Sequence, residues 1–133
     1  MGSMNRVFLI GRLGRNPEDR MTSTGTPVSC FSLATDHIRT VNGNRERITE
    51  WHRVVCFGKL AELSVQYLLK GRLVCVEGSL QTRSWEKTQG EKRYSTEIVA
   101  SRLIFLESKE RDLQPKGENH IVVSELNSHS IAS

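Results

Sequence analysis

A chain of 133 residues and 15.1 kDa has the size of one domain with one hydrophobic core, which argues against a two-lobed enzyme with a cleft. With 37% hydrophobic and 26% charged residues it can bury that core without disulfides or a metal, and it is too apolar to be wholly disordered. Nineteen Lys+Arg against 15 Asp+Glu leave +4 and a pI near 9.2, a mild bias toward a polyanionic partner.

Met1-Gly2-Ser3 ahead of a second start-like Met4 reads as an expression scar, so the fold is counted from residue 4. No stretch approaches the roughly 20 apolar residues of a membrane span, and the N-terminus lacks a signal-peptide pattern. The expectation is a soluble intracellular chain without a membrane partner. Asn5 to Leu13 is rich in β-formers, and Gly11 near its end suggests a bend or bulge in a curled strand. A polar, turn-rich stretch follows, and Pro27 opens a second strand running through Val28, Phe31 and Leu33 to Thr35. Residues 36–49 are polar, carry Arg39, Arg45 and Arg47, and turn at Asn42-Gly43-Asn44, which reads as a long exposed basic hairpin or loop.

Glu50 to Phe57 is the third strand. Period-two spacing puts Trp51, Arg53, Val55 and Phe57 on one face and His52, Val54 and Cys56 on the other. After Gly58 the period changes: Leu60, Leu63, Tyr67 and Leu68 follow the stripe of an amphipathic helix, stopped at Gly71. Leu73 to Trp85 and Tyr94 to Leu106 are the last two strands, joined by a charged tip containing Gly90. Three strands, one helix and two strands suit an all-β fold: a five-stranded Greek-key barrel of the OB type, with the helix between strands three and four. A compact β-sandwich is the alternative.

Cys30, Cys56 and Cys75 are widely spaced, form no Cys-x-x-Cys pair, and each lies in an apolar run, so they read as reduced core thiols. From Glu107 the periodicity stops. Residues 1–106 hold 16 basic and 10 acidic side chains (net +6), whereas 107–133 hold 3 and 5 (net −2). The tail is expected to be largely disordered, with Ile121-Val122-Val123 as a candidate short strand.

A metal-dependent OB-fold nuclease would need carboxylates converging on a cation. Asp36, Glu46, Glu50, Glu77 and Glu97 show no ligand spacing and read as solvated charges, and no nucleophile or phosphate-cradling motif is present. No catalytic residue, metal or cofactor is expected. A binding reading is better supplied, because Trp51 and Phe57 share a face with Arg53, and Trp85 shares one with Gln81 and Arg83. Single strands are held by base stacking on aromatic rings and by cations along the phosphates. Half-buried packing of each Trp at a rim or subunit interface explains the pattern equally well.

The runs Glu50-Trp51-His52-Arg53-Val54-Val55, Phe57-Gly58-Lys59-Leu60-Ala61-Glu62, Tyr67-Leu68-x-Lys70-Gly71 and Val76-Glu77-Gly78-x-Leu80-x-Thr82-Arg83-x-Trp85 closely resemble the bacterial and mitochondrial single-stranded DNA-binding protein family. Asn5-Arg6-Val7 through Gly14, Asn16-Pro17-Glu18, Leu33-Ala34-Thr35 and Arg93 to Glu97 also fit it in order, so the likeness spans about residues 4 to 106. The resemblance implies a non-catalytic, homotetrameric OB-fold domain over 4–106 that coats single-stranded DNA with little sequence preference during replication, recombination and repair. It further implies base stacking at Trp51, Phe57 and Trp85, a phosphate path along Arg6, Arg53, Lys59, Lys70 and Arg83, and a subunit-interface role for His52. The compartment implied is the bacterial cytoplasm, at the nucleoid, with the mitochondrial matrix as the alternative. Related binding readings are a dimeric primosomal auxiliary protein and an RNA-binding OB protein.

Two departures from the family stand out. Where members usually carry another stacking Trp after the Leu-Ala-Thr motif, this chain reads Asp36-His37-Ile38-Arg39, with Arg39 as a candidate substitute platform. Bacterial members usually close in an acidic tip ending in Pro-Phe that recruits replication and repair proteins, whereas residues 127–133 contain no acid, so recruitment by that route is not expected.

Overall fold

Alternating apolar residues in the first 106 positions form a sheet that closes on itself. The computed structural model describes residues 2–107 and 122–125. Its elements are β1 (Val7–Leu13), β2 (Glu18–Met21), β3 (Pro27–Val41), β4 (Asn44–Phe57), α1 (Lys59–Tyr67), β5 (Leu73–Thr88), β6 (Glu91–Phe105) and β7 (Val122–Glu125). Neighbours run β1-β5-β6-β4-β3-β2, and β1 also pairs β3, so β1, β5, β6, β4 and β3 make a ring. This is the all-β, one-helix OB architecture that the strand order predicts, with the helix after the third strand of the ring.

Two short pairings close the ring. One is the parallel contact of β4 with β6 at Val54↔Ile98 and Val55↔Val99. The other joins β1 to β3 at Arg12↔Ala34 and Leu13↔Leu33, beside Gly11. A Cβ on Gly11 would stand 2.1 Å from the Ala34 carbonyl oxygen, so the strands meet only because that atom is missing. The predicted bend at Gly11 is therefore the seam where β1 passes from β5 to β3.

Inside, Leu33, Val54, Cys56, Val74, Val76, Ala100, Leu103 and Phe105 are almost fully buried, each large side chain contributing about 1.5–3 kcal/mol. Helix α1 covers one end of the ring, with Leu60 and Ala61 in the core and Tyr67 against Phe105 at 5.3 Å between ring centroids. Its last buried anchor, Leu68, lies one residue past the helix, where its N–H donates to the Ser64 carbonyl.

The structure departs from the sequence reading at β2 and at Cys75, and it bears out the hairpin over 36–49 and the short strand in the tail. Residues 18–21, read as turn, form β2, an all-exposed strand that pairs β3 through its backbone and carries no apolar alternation. The 36–49 stretch is a hairpin that extends the β3–β4 ladder unbroken to Val41↔Asn44, around a turn with φ of 52° at Asn42 and 80° at Gly43. Cys75 is no core thiol. Cys30 and Cys56 are buried, but Cys75 is half-exposed on the outer side of β5. In the tail, the strand suggested near 121–123 corresponds to β7, which pairs Arg102–Phe105 of β6. Glu107, the first residue of the expected disordered tail, is instead held by its N–H to the Leu73 carbonyl and by Arg12 at 2.8 Å, and the expectation of disorder for 108–121 and 126–133 lies outside the described residues.

Candidate nucleic-acid interface

Because β4 alternates without a bulge, Trp51, Arg53, Val55 and Phe57 share the side away from the core cluster, and of these Val55 is itself buried. Val54 and Cys56 enter the core, while Trp51 is 60% exposed and Arg53 and Phe57 are half-exposed. The same alternation on β5, beyond a bulge at Glu77/Gly78, puts Arg83 and Trp85 outside. Trp85 is 42% exposed, and the Arg83 guanidinium carbon lies 5.1 Å from its ring centroid, a cation–π contact.

The two strands are joined by Glu97 on β6. Its Oε2 accepts from Arg53 Nε at 2.8 Å and from Arg83 Nη2 at 3.2 Å. Glu97 is only 7% exposed, and its hydrogen bond pushes Arg53 above its ordinary value. Reading Glu97 and Glu77 as solvated charges is thus corrected. Glu77 is also largely covered and bridges Arg6 (3.5 Å) and Arg102 (3.9 Å). A charged residue at the head of the apolar run Ile98-Val99-Ala100 was the available signal for Glu97.

Trp51 borders a groove of about 470 Å³ lined by Gly14, Asn16, Cys30, Ser32 and Arg53 among others. Its ring lies over Gly14, and the Asn16 side chain fixes the turn below α1 by accepting from the Lys70 N–H at 2.8 Å. The groove joins an open aromatic face to hydroxyl, amide and guanidinium groups. It contains no pair of acids aimed at a common point.

Of the sequence-predicted site residues, Arg53, Arg83 and Trp85 are brought together by Glu97, and Trp51 stands beside Arg53. Phe57 occupies the far end of β4, the exposed Lys59 opens α1 and the exposed Lys70 follows its end. Arg6 is separate: it pairs Glu77 at the start of β1, away from the Glu97 cluster. His52 turns from the Trp51 face, its Nε2 2.7 Å from Thr35 Oγ1.

The hairpin adds residues that the sequence reading placed in a basic exposed stretch but not among the binding residues. Ala34↔Trp51, Asp36↔Thr49, Ile38↔Arg47 and Thr40↔Arg45 share the outward face. Ile38, 55% exposed, and Arg47 therefore continue the Trp51 row, while Arg39, the suggested substitute platform, lies on the opposite face beside Glu46. Counting in twos back from Trp51 would have found Arg47 and Arg45.

Residues 4–106 match the family model described as the single-strand binding protein family. The chain is 42% identical over 126 residues to a single-stranded DNA-binding protein of Thermotoga maritima, covering 94% of this chain and 89% of the relative. It is 49% identical over 109 residues to single-stranded DNA-binding protein 1 of Chlorobaculum tepidum, covering 80% and 67%. Among solved structures, the Plasmodium falciparum SSB in complex with single-stranded DNA superposes with a TM-score of 0.74 at 38% identity, over 80% of this chain and 98% of that one. With an OB ring, an exposed aromatic and arginine face and these likenesses, the chain belongs to the single-strand binding protein family, whose members bind single-stranded DNA without catalysis.

Proposed function

We propose that one DNA strand runs across the outward faces of β4 and β5, its bases stacked on Trp51, Phe57 and Trp85 and its phosphates held by Arg53 and Arg83. The observation that carries this reading is the Trp85–Arg83–Glu97–Arg53 chain, which sets an aromatic platform and two guanidinium groups side by side on the outside of the ring. Stacking serves every base, so little sequence preference follows. Lys59 and Lys70 would continue the phosphate path around α1, and Arg6 would hold it farther along β1. Such coating suits strands exposed in replication, recombination and repair, in the bacterial cytoplasm given the bacterial relatives.

Assembly as a homotetramer is part of the proposal. Phe8 and Ile10 are exposed on β1, beside a small apolar pocket that Phe8 shares with Cys75 and Ile104. Residues 7–10 pair β5 on one edge only among the described residues, leaving a strand edge for a second copy. His52, facing away from Trp51, is assigned to this assembly rather than to DNA.

The test is poly(dT) affinity of Trp51→Ala and Trp85→Ala, with subunit number followed by light scattering. Each substitution is expected to weaken binding by about 1–3 kcal/mol. Unchanged affinity in an intact oligomer overturns the stacking path, and equal competition by RNA oligomers would broaden the ligand class.

A further inference from the structure

A buried acid is out of place among cations that are to receive a polyanion. Glu97 sits directly before the two-residue seam where β6 meets β4, so the backbone fixes it between Arg53 on one neighbouring strand and Arg83 on the other. Its side chain is 9% exposed, against 40% for Arg53 and 58% for Arg83, so the carboxylate lies beneath and the guanidinium groups lie above. A guanidinium carries five N–H donors, and one bond to Glu97 leaves others for a phosphate oxygen. Arg83 in turn rests on the Trp85 ring.

We propose that Glu97 is a positioning residue for single-stranded DNA: it locks Arg53 and Arg83, and through Arg83 the Trp85 platform, in the binding arrangement before the strand arrives. The inference rests on the DNA path given above. Ordering two long side chains during folding removes that entropic cost from binding. The idea opposes simple electrostatics, under which an acid in the path repels phosphate and its removal tightens binding.

Three substitutions separate these accounts, each measured for oligo(dT) affinity and its salt dependence with folding checked by circular dichroism. Glu97→Gln keeps an acceptor of the same reach without charge, Glu97→Asp keeps the charge but withdraws it, and Glu97→Ala removes both. Positioning predicts Gln within roughly twofold of the parent, and Asp and Ala weaker by roughly tenfold, the size of one charged hydrogen bond, with a shallower salt slope. Unchanged or tighter binding by both Asp and Ala overturns it, as does equal weakening by Gln and Ala. Should the Ala variant fail to fold, the Asp and Gln pair decides alone. Arg53→Ala/Arg83→Ala is the control. If that double variant binds as the parent does, the DNA path itself fails and Glu97 loses its role with it. If it binds weakly while Asp and Ala at 97 do not, only the positioning inference falls.

Discussion

Gly14 gives the Trp51 ring its seat: a Cβ at Gly14 would stand 2.6 Å from Cζ3 of Trp51 and 2.9 Å from Cη2. The ring lies flush on backbone, with its outer side open. Gly14→Ala is therefore expected to tilt or lift the ring while leaving the core intact, because Gly14 lies outside the buried cluster. The expected outcome is a loss of about 1 kcal/mol in oligo(dT) affinity, the low end of one stacking contact, with a shifted tryptophan emission and little change in melting temperature. Parent-like affinity would show that the seat of Trp51 is immaterial to binding.

Ile38 stands in the outward row of Trp51, one strand over from Arg47. Ile38→Trp is expected to add a stacking platform and tighten oligo(dT) binding by about 1 kcal/mol, provided the oligonucleotide is long enough to reach the hairpin. Arg47→Ala is expected to reduce the slope of log affinity against log salt by about 0.7, the value for one neutralised phosphate on a single strand. A salt series on both variants checks the pair, and flat responses would confine the DNA path to the ring.

The Gly11 seam predicts a stability effect without a binding signature. Alanine there would place Cβ against the Ala34 carbonyl, and separating β1 from β3 would open the ring. Gly11→Ala is expected to lose about 1–3 kcal/mol in urea unfolding, as overpacked interiors do.

Burial pushes the Cys56 thiol from its ordinary value of 9.0 up to about 12. Well below pH 9 the thiol is protonated in both folded and unfolded chains, and its contribution to stability is complete. Above that, the unfolded chain ionises Cys56 while the folded chain holds its proton, so stability declines as pH rises toward 12, by at most about 1.4 kcal/mol per pH unit. Urea melts of the parent and of Cys56→Ala at pH 8 and pH 10 check this: the parent should lose more stability between the two. For the same reason, alkylation at neutral pH is expected to reach half-exposed Cys75 well before Cys56.

What could be read in the sequence was what short-range periodicity controls. Alternation along residues 51–57 separated Trp51, Arg53, Val55 and Phe57 from His52, Val54 and Cys56 before any partner strand was known, because side-chain direction in a strand depends only on its neighbours; which face met water, and that Val55 is buried on the Trp51 side, came from the packing. The switch to helical spacing after Gly58 was legible for the same reason, and the run of motifs carried the family. β2 escaped because its four exposed residues have no apolar rhythm.

Register between distant strands is a different kind of fact. That Glu97 lies under Arg53, 44 positions away, that Arg83 reaches the same oxygen, and that Gly14 supports Trp51 follow from where the ring closes. Closure depends on the whole core packing at once, through Gly11 at one seam and Val54 and Val55 at the other. The sequence by itself determined the residue types and the faces of the proposed binding surface. Only the tertiary structure decided that a buried acid joins its two arginines, because no local pattern records which strands lie side by side.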